Sequence, residues 1–279
     1  GPDFATCVPA AGLLTHTFAG NAPDPGVSGD WDQISGPGTS VFTNQTLFNS
    51  GVQVTLPGIY VFRWTLDNAS CQSQDDLEIS FGRDPAVPVP TPNAFCGLAG
   101  TLAAVAPVGG EIITWSLFGV NPGTATITNA NQIPATVTVS NFGTYTFRLE
   151  FSSGSCVPQA TNVNITFFQP ATSTPEADKT VCVDGNVLPA PIAPFPVTGT
   201  VGGGASGGRW EIAAGSGTFV SSGAAVGSVI VPGVINDSYI PSAADFAAGS
   251  VTLRLVGVHP QAVCGNVSNT VVITFDKKP

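Results

Sequence analysis

Basic residues are scarce: eight Lys and Arg stand against eighteen Asp and Glu in 279 residues, for a formal net charge of −10. A deficit of that size argues against nucleic acid as a partner. Only two histidines occur, His16 and His259, and methionine is absent. With no H-E-x-x-H, no G-x-S-x-G elbow and no carboxylate pair at equivalent places, no enzyme activity, catalytic residue or cofactor is expected. The glycine run Gly202 to Gly208 lacks the Gly-Lys-Ser/Thr of a phosphate loop and reads as a turn before Arg209-Trp210. Long apolar runs are also missing, so no membrane insertion is expected within this segment. Lysine first appears at Lys179, followed by Lys277 and Lys278, which excludes lysine isopeptide crosslinks from the first two thirds of the chain. Without an initiating Met or a signal peptide, the chain reads as a segment of a longer precursor, with Gly1-Pro2 as a tag scar.

Charged residues make up only 9% of the chain, while 43% is apolar, including seventeen Phe. Apolar residues alternate with Ser, Thr, Asn and Gln in short runs bounded by Gly and Pro, a strand rhythm with no competing helical period. The exception is Ser242 to Ala248, between Pro241 and Gly249, which predicts one helical turn with a serine cap.

The strand runs form one module written three times. The first copy has Cys7, Trp31, Gly58 to Trp64, Cys71 and a closing run Leu77 to Phe81. The second has Cys96, Trp115, Gly143 to Leu149, Cys156 and Val163 to Phe167; the third has Cys182, Trp210, Gly249 to Leu255, Cys264 and Val271 to Phe275. Such repetition points to a structural or binding unit, because chemistry rarely needs three tandem copies of one site. The expected fold is all-β: three tandem immunoglobulin-like antiparallel β-sandwich domains in an elongated array, spanning 1–84, 85–170 and 171–279. Pro-rich stretches at Asp84 to Pro92 and Gln169 to Pro175 mark the boundaries and are expected to act as semi-rigid spacers.

Six cysteines allow fifteen pairings. Repetition selects the in-copy set Cys7 to Cys71, Cys96 to Cys156 and Cys182 to Cys264, each worth very roughly 4 kcal/mol by chain entropy. That implies an oxidising compartment. Tyr60 and Tyr145 precede the second cysteine by about eleven residues rather than the two of a usual tyrosine corner. The disulfide should therefore tie the N-terminal strand to the last hairpin.

Trp31, Trp115 and Trp210 are expected in the core. Trp64 has leucine at the equivalent places, Leu149 and Leu255, and is the candidate ligand contact, a platform for stacking a sugar. Arg63, Arg148 and Arg254 fall on the outward face of the penultimate strand, where cross-strand pairing is expected. Asp24, Asp30, Asp32, Asp67, Asp75, Asp76 and Glu78 gather in the first copy, so calcium is conceivable although no spacing matches a calcium loop. Asp178, Asp184, Asp237 and Asp245 are scattered, and His259 reads as an exposed loop residue.

Trp31 to Thr39, then Gly58 to Thr65 and Asn68 to Cys71, resemble the PKD-like immunoglobulin-type repeats of very large bacterial surface proteins. Trp115, Asn121 to Thr124 and Gly143 to Tyr145 resemble a weaker member. Gly208 to Trp210, Gly215 to Phe219 and Tyr239 to Asp245 resemble a companion repeat. The resemblance implies export by the type IX pathway and an extracellular location at the bacterial cell surface, as in gliding-motility adhesins. Expected partners are other domains of the same long protein and a glycan or surface ligand. The expected function is a stalk or filament segment of an adhesin; the alternatives are a carbohydrate-binding or cell-contact module, or an accessory region of a secreted hydrolase.

Overall fold

The computed structural model describes residues 3–9, 12–107, 111–154, 156–183, 193–224 and 226–277. Gly1, Pro2, Asp184 and Lys278, named above, lie outside them. The chain divides into two compact units, Gly1–Asn93 with Gly100–Val139 and Thr144–Ile165, and Ala94–Ala99 with Ser140–Gly143 and Thr166–Pro279.

The first copy supplies β1 (Phe4–Val8), β2 (Leu14–Thr17), β3 (Ser28–Ser35), β4 (Ser40–Phe42), β5 (Gly51–Val54), β6 (Gly58–Asp67) and β7 (Gln72–Arg83). They form sheets ordered β1-β7-β6-β3 and β2-β5-β4. The second copy supplies β8 (Asn93–Cys96), β9 (Ala99–Leu102), β10 (Ile112–Leu117), β11 (Ala125–Thr128), β12 (Ala135–Val139), β13 (Gly143–Ser152) and β14 (Gln159–Phe168). Their orders are β10-β13-β14-β8 and β11-β12-β9. The third supplies β15 (Ala171–Pro175), β16 (Lys179–Val183), β17 (Phe195–Gly203), β18 (Gly207–Ala214), β19 (Thr218–Phe219), β20 (Gly233–Ile240), α1 (Ala243–Ala248), β21 (Ser250–Val258) and β22 (Val267–Lys277). These form sheets β16-β22-β21-β18 and β15-β17-β20-β19. Every copy thus repeats one sheet: an N-terminal strand, the last strand, the penultimate strand and the tryptophan strand.

Alternation builds the cores. In β6, Tyr60, Phe62 and Trp64 point inward while Ile59, Val61 and Arg63 face out. They meet Leu14, Val52 and Val54 from the facing sheet, with Phe18 stacked on Trp31 at 3.9 Å between ring centroids. In the third copy Trp210, Leu253, Leu255, Val271 and Ile273 pack against Val197, Val201, Ile235 and Tyr239 of the other sheet. Trp31, Trp115 and Trp210 are all core residues. The Tyr60 hydroxyl donates to the Leu56 carbonyl at 2.9 Å, a tyrosine corner at the entry to the penultimate strand. Spacing to the cysteine concealed it, because the cysteine lies at the hairpin tip rather than inside the strand.

β1 runs parallel to β7 and β16 parallel to β22, whereas β3, β6 and β7 of the first copy and β18, β21 and β22 of the third pair antiparallel. The predicted helical turn is α1, with Ser242 as N-cap, a reciprocal capping box through Asp245, and Gly249 closing it at φ 78°. The Pro-rich segments are not free spacers. Thr91 N–H donates to Ala103 O, Val105 N–H donates to Val89 O, and Ala171–Pro175 is a strand paired with β17. Pro175 ends β15, the outer strand of its sheet, where proline is tolerated.

Trp210 is fully buried and its Nε1 donates to the Ile235 carbonyl at 3.2 Å. Trp210→Ala should lower unfolding free energy by about 3–5 kcal/mol. Val120→Ala, at a fully exposed site, should stay within about 0.5 kcal/mol in the same urea titration.

Candidate functional site: disulfide junctions between repeats

Both bonded disulfides join different copies. Cys7 bonds Cys156 across 149 residues with a Cα–Cα distance of 5.4 Å. Cys96 bonds Cys264 across 168 residues at 4.9 Å. Cys71 and Cys182 are free and exposed. The in-copy pairings expected from repetition are therefore corrected, and strand register gives the reason. Cys7 sits on β1 opposite Gly82, near the end of β7, whereas Cys71 precedes that strand's first residue. Eleven residues of strand separate the two levels, roughly 36 Å, against the 7 Å or less that a disulfide tolerates. Cys182 likewise lies opposite Asp276 at the end of β22, which Cys264 precedes. In the second copy Gly97 N–H donates to Phe168 O, so Cys96 meets the end of β14, and Cys156 precedes its start. The element types were foreseen, N-terminal strand to last hairpin. The bond crosses to the next copy.

The first junction is close-packed. A Cβ at Gly82 would stand 2.5 Å from Cys156 Sγ and 3.1 Å from the Ser153 carbonyl. Ser153 is buried, and its Oγ accepts from Arg83 N–H at 3.3 Å. The Arg83 guanidinium donates to Gly12 O, and Ala86 N–H donates to Glu111 Oε1 at 2.9 Å. Cys7, Asp84 and Cys156 are the group among the described residues with metal-ligand proximity, but the two sulfurs are bonded to each other and are not thiolates.

At the second junction His259 is buried rather than exposed in a loop. Gln261 N–H donates to its Nδ1 at 3.0 Å, leaving Nε2 to donate to the Gln169 carbonyl at 3.0 Å. Its ring also meets the edge of Phe168. This bridge ties the hairpin carrying Cys264 to the segment that follows β14. A lone histidine without a repeat equivalent gave no sequence signal for it.

Trp64 is not a sugar platform. It is 5% exposed, its Nε1 donates to Asn21 O at 3.2 Å, and it packs 5.0 Å from Trp31. The glycine at position 29 leaves room for its ring, which a Cβ there would strike. Tyr60 is likewise wholly buried. The outward arginines do pair. Arg63 makes two bonds to its cross-strand partner Asp76, at 2.6 and 2.9 Å. Arg254 pairs across strands with Glu211, which Arg209 shares, whereas Arg148 departs from the cross-strand expectation and meets Glu150 two residues along its own strand. Burial pushes the Glu211 carboxyl up, and the two guanidiniums more than offset it, leaving it below the usual range.

The acids of the first copy do not converge: among the described residues no three carboxylates reach ligating proximity. Asp76 is engaged by Arg63, while Asp67 accepts from Gln72 Nε2 and Ala69 N–H and is held low by both. Asp30 is raised by burial and by neighbouring Asp32.

A heavily bonded carboxylate is Asp245, which sequence left among scattered acids. It is 2% exposed and accepts from Ser242 N–H, Ser216 N–H and the Tyr239 hydroxyl, at 2.8, 2.8 and 2.9 Å. Burial pushes it up, but these donors prevail and its carboxyl lies below the usual value. The spacing Ser242-x-x-Asp245 was the available signal.

No protein-family model matches the chain, and no curated protein matches it in sequence. Solved structures align along nearly its full length. A three-immunoglobulin fragment of titin, domains I67–I69 in an E-to-A variant, gives a TM-score of 0.40 at 9% identity, covering 100% of this chain and 96% of that one. Extracellular domains 3–5 of Drosophila OTK give 0.41 at 10% identity, covering 99% and 95%. Human CDH23 domains EC21–23 give 0.32 at 14% identity, covering 97% and 98%. All three scores are below 0.5.

Two outcomes follow from these geometries. Gly82→Val should press on Cys156 Sγ and on backbone, costing about 1–3 kcal/mol; calorimetry should show a lower Tm, and thiol titration after oxidative refolding should show more free Cys7 and Cys156. Because Asp245 has a depressed folded pKa, its contribution is complete above the unfolded carboxylate value near pH 3.9 and is lost as pH falls through the folded one. Asp245→Asn should therefore cost about 1.5–3 kcal/mol at pH 7, with the gap to wild type closing at the acid end of a urea-midpoint series.

Proposed function

We propose that this chain is a structural repeat segment, part of the stalk or filament of a large extracellular adhesin at a bacterial cell surface, serving surface attachment or gliding motility after type IX export. It comprises three tandem modules, 1–84, 85–170 and 171–279. The repeated sheet order and the PKD-like motifs support this reading, and two overlapping disulfides that each span copies carry it. Disulfides of this kind belong to an oxidising compartment. The alternative of a carbohydrate or cell-contact module loses its aromatic platform with Trp64 and Tyr60 in the core.

The mechanism is limited extension. Because Cys96 lies inside the loop closed by Cys7 and Cys156, and Cys156 inside the loop closed by Cys96 and Cys264, the two covalent loops overlap. The shortest covalent path from Cys7 to Cys264 crosses one disulfide, runs back along about 60 residues to Cys96 and crosses the other, roughly 200 Å when taut. Without disulfides the same interval of about 257 residues extends to roughly 900 Å. A load applied at the termini is carried by the middle copy, while the chain hidden in the outer copies stays unloaded.

Single-molecule pulling on the oxidised chain should give contour-length gains summing to about a quarter to a third of those after reduction, a difference of roughly 700 Å by chain reach. Equal gains in both states would contradict the load-limiting role.

A further inference from the structure

The first junction carries a charge that the second lacks. Cys7 lies on β1 opposite Gly82, and Asp84 follows two residues on, where its N–H donates to the Val8 carbonyl at 2.7 Å and extends the ladder. Side chains two apart on an extended chain share a face. A Cβ at Gly82 would strike Cys156 Sγ, and the Asp84 carboxylate two residues on brings Oδ1 to 2.9 Å from Cys7 Sγ. The bonded sulfur has no hydrogen to donate, so this is a bare contact between a disulfide and an anion. An Asp84 carboxylate oxygen lies within 4.8 Å of both sulfurs. Counting from the closing runs Leu77 to Phe81 and Val163 to Phe167, the equivalent place at the second junction is held by Pro170. Among the described residues no carboxylate comes that close to both Cys96 and Cys264.

The two sulfurs of the first bond are unequally accessible. Cys156 is 6% exposed and packed against Gly82, while Cys7 is open to solvent. An incoming nucleophile therefore reaches Cys7 Sγ, the sulfur that Asp84 touches. In thiol–disulfide exchange that nucleophile is a thiolate, so negative charge must be brought to this sulfur. The adjacent Arg83 guanidinium is engaged elsewhere, donating to the Gly12 carbonyl. The wider field has the sign of Asp84: residues 1–84 hold nine of the eighteen Asp and Glu but two of the eight Lys and Arg.

We propose that Asp84 is an electrostatic guard of the Cys7–Cys156 bond, which makes the first junction select among thiol reductants by charge, holding off anionic thiols and admitting cationic aminothiols. The chemistry is ordinary exchange. A reagent thiolate attacks Cys7 Sγ, the bond to Cys156 breaks, and Cys156 leaves as a thiolate that takes up a proton. A second reagent thiolate attacks the reagent sulfur of the mixed disulfide and expels the Cys7 thiolate, which is protonated in turn. Two reagent thiols are oxidised to one reagent disulfide, and the protein bond is reduced by two electrons.

The test compares glutathione, a net anion, with cysteamine, whose amine is cationic, on the folded chain carrying Cys71→Ser and Cys182→Ser so that no free thiol competes. Timed alkylation and peptide mass mapping follow the opening of each bond, and the second junction corrects for the intrinsic reactivity of each reagent. The ratio of cysteamine to glutathione rates should be about fivefold larger at Cys7–Cys156 than at Cys96–Cys264, the effect of one unit charge at close range in water. Added salt should narrow that gap. Asp84→Asn, at an exposed side chain whose backbone bond to Val8 is retained, should bring the first ratio down to the second, with near-ultraviolet circular dichroism matching the parent. Equal ratios at the two junctions of the parent chain would overturn the proposal. So would an Asp84→Asn chain in which both reagents open the first bond faster by the same factor, since that outcome reports loosened packing rather than lost charge.

Discussion

Parallel pairing of a cysteine-bearing N-terminal strand with the last strand of its copy governs how the cysteines can be used. That pairing sets the first cysteine of a copy level with the end of the closing strand, as Cys7 with Gly82 and Cys182 with Asp276. The second cysteine stands at the hairpin tip before the strand begins. Some eleven or twelve residues of extended chain lie between, several times the reach of a disulfide. A staple within one copy is thereby forbidden, and the cysteines are available only to neighbours. Small sandwiches commonly use a disulfide across their own core; here aromatic packing occupies that role, with Phe18, Trp31, Phe62 and Trp64 in one cluster.

The consequence is covalent overlap. Loops of 149 and 168 residues each remove about 5 kcal/mol of chain entropy from the unfolded state when taken singly. More important mechanically, neither loop can open fully without cleavage of its bond. The junctions are matched to this task by local packing: a glycine at position 82 where a side chain would meet sulfur, a buried serine beside it, and at the other junction a buried histidine bridging two backbone segments. Pro-rich stretches that composition marks as spacers are drawn into hydrogen bonding with the following copy.

Much of this was legible in sequence because period-two alternation is a local property. Tyr60-x-Phe62-x-Trp64 reads as a strand with one buried face, and Ser242 to Gly249 reads as a capped helical turn. The outward arginines and core tryptophans follow from the same alternation. Connectivity was not legible, since repetition makes in-copy and between-copy pairing equally periodic, and only strand register distinguishes them. Trp64 misled because its leucine equivalents made it look additional rather than structural; Gly29 and the Asn21 carbonyl, distant in sequence, make its pocket. Asp245 was hidden among isolated acids because its donors come from Ser216, Tyr239 and Ser242, brought together only by the fold.

Peptide mapping of the oxidised chain by mass spectrometry without reduction tests the central claim most directly. Crosslinked peptides containing Cys7 with Cys156 and Cys96 with Cys264, alongside alkylated Cys71 and Cys182, are the predicted result. Recovery of Cys7 with Cys71, or of Cys182 with Cys264, would contradict both the register argument and the overlapping loops built on it.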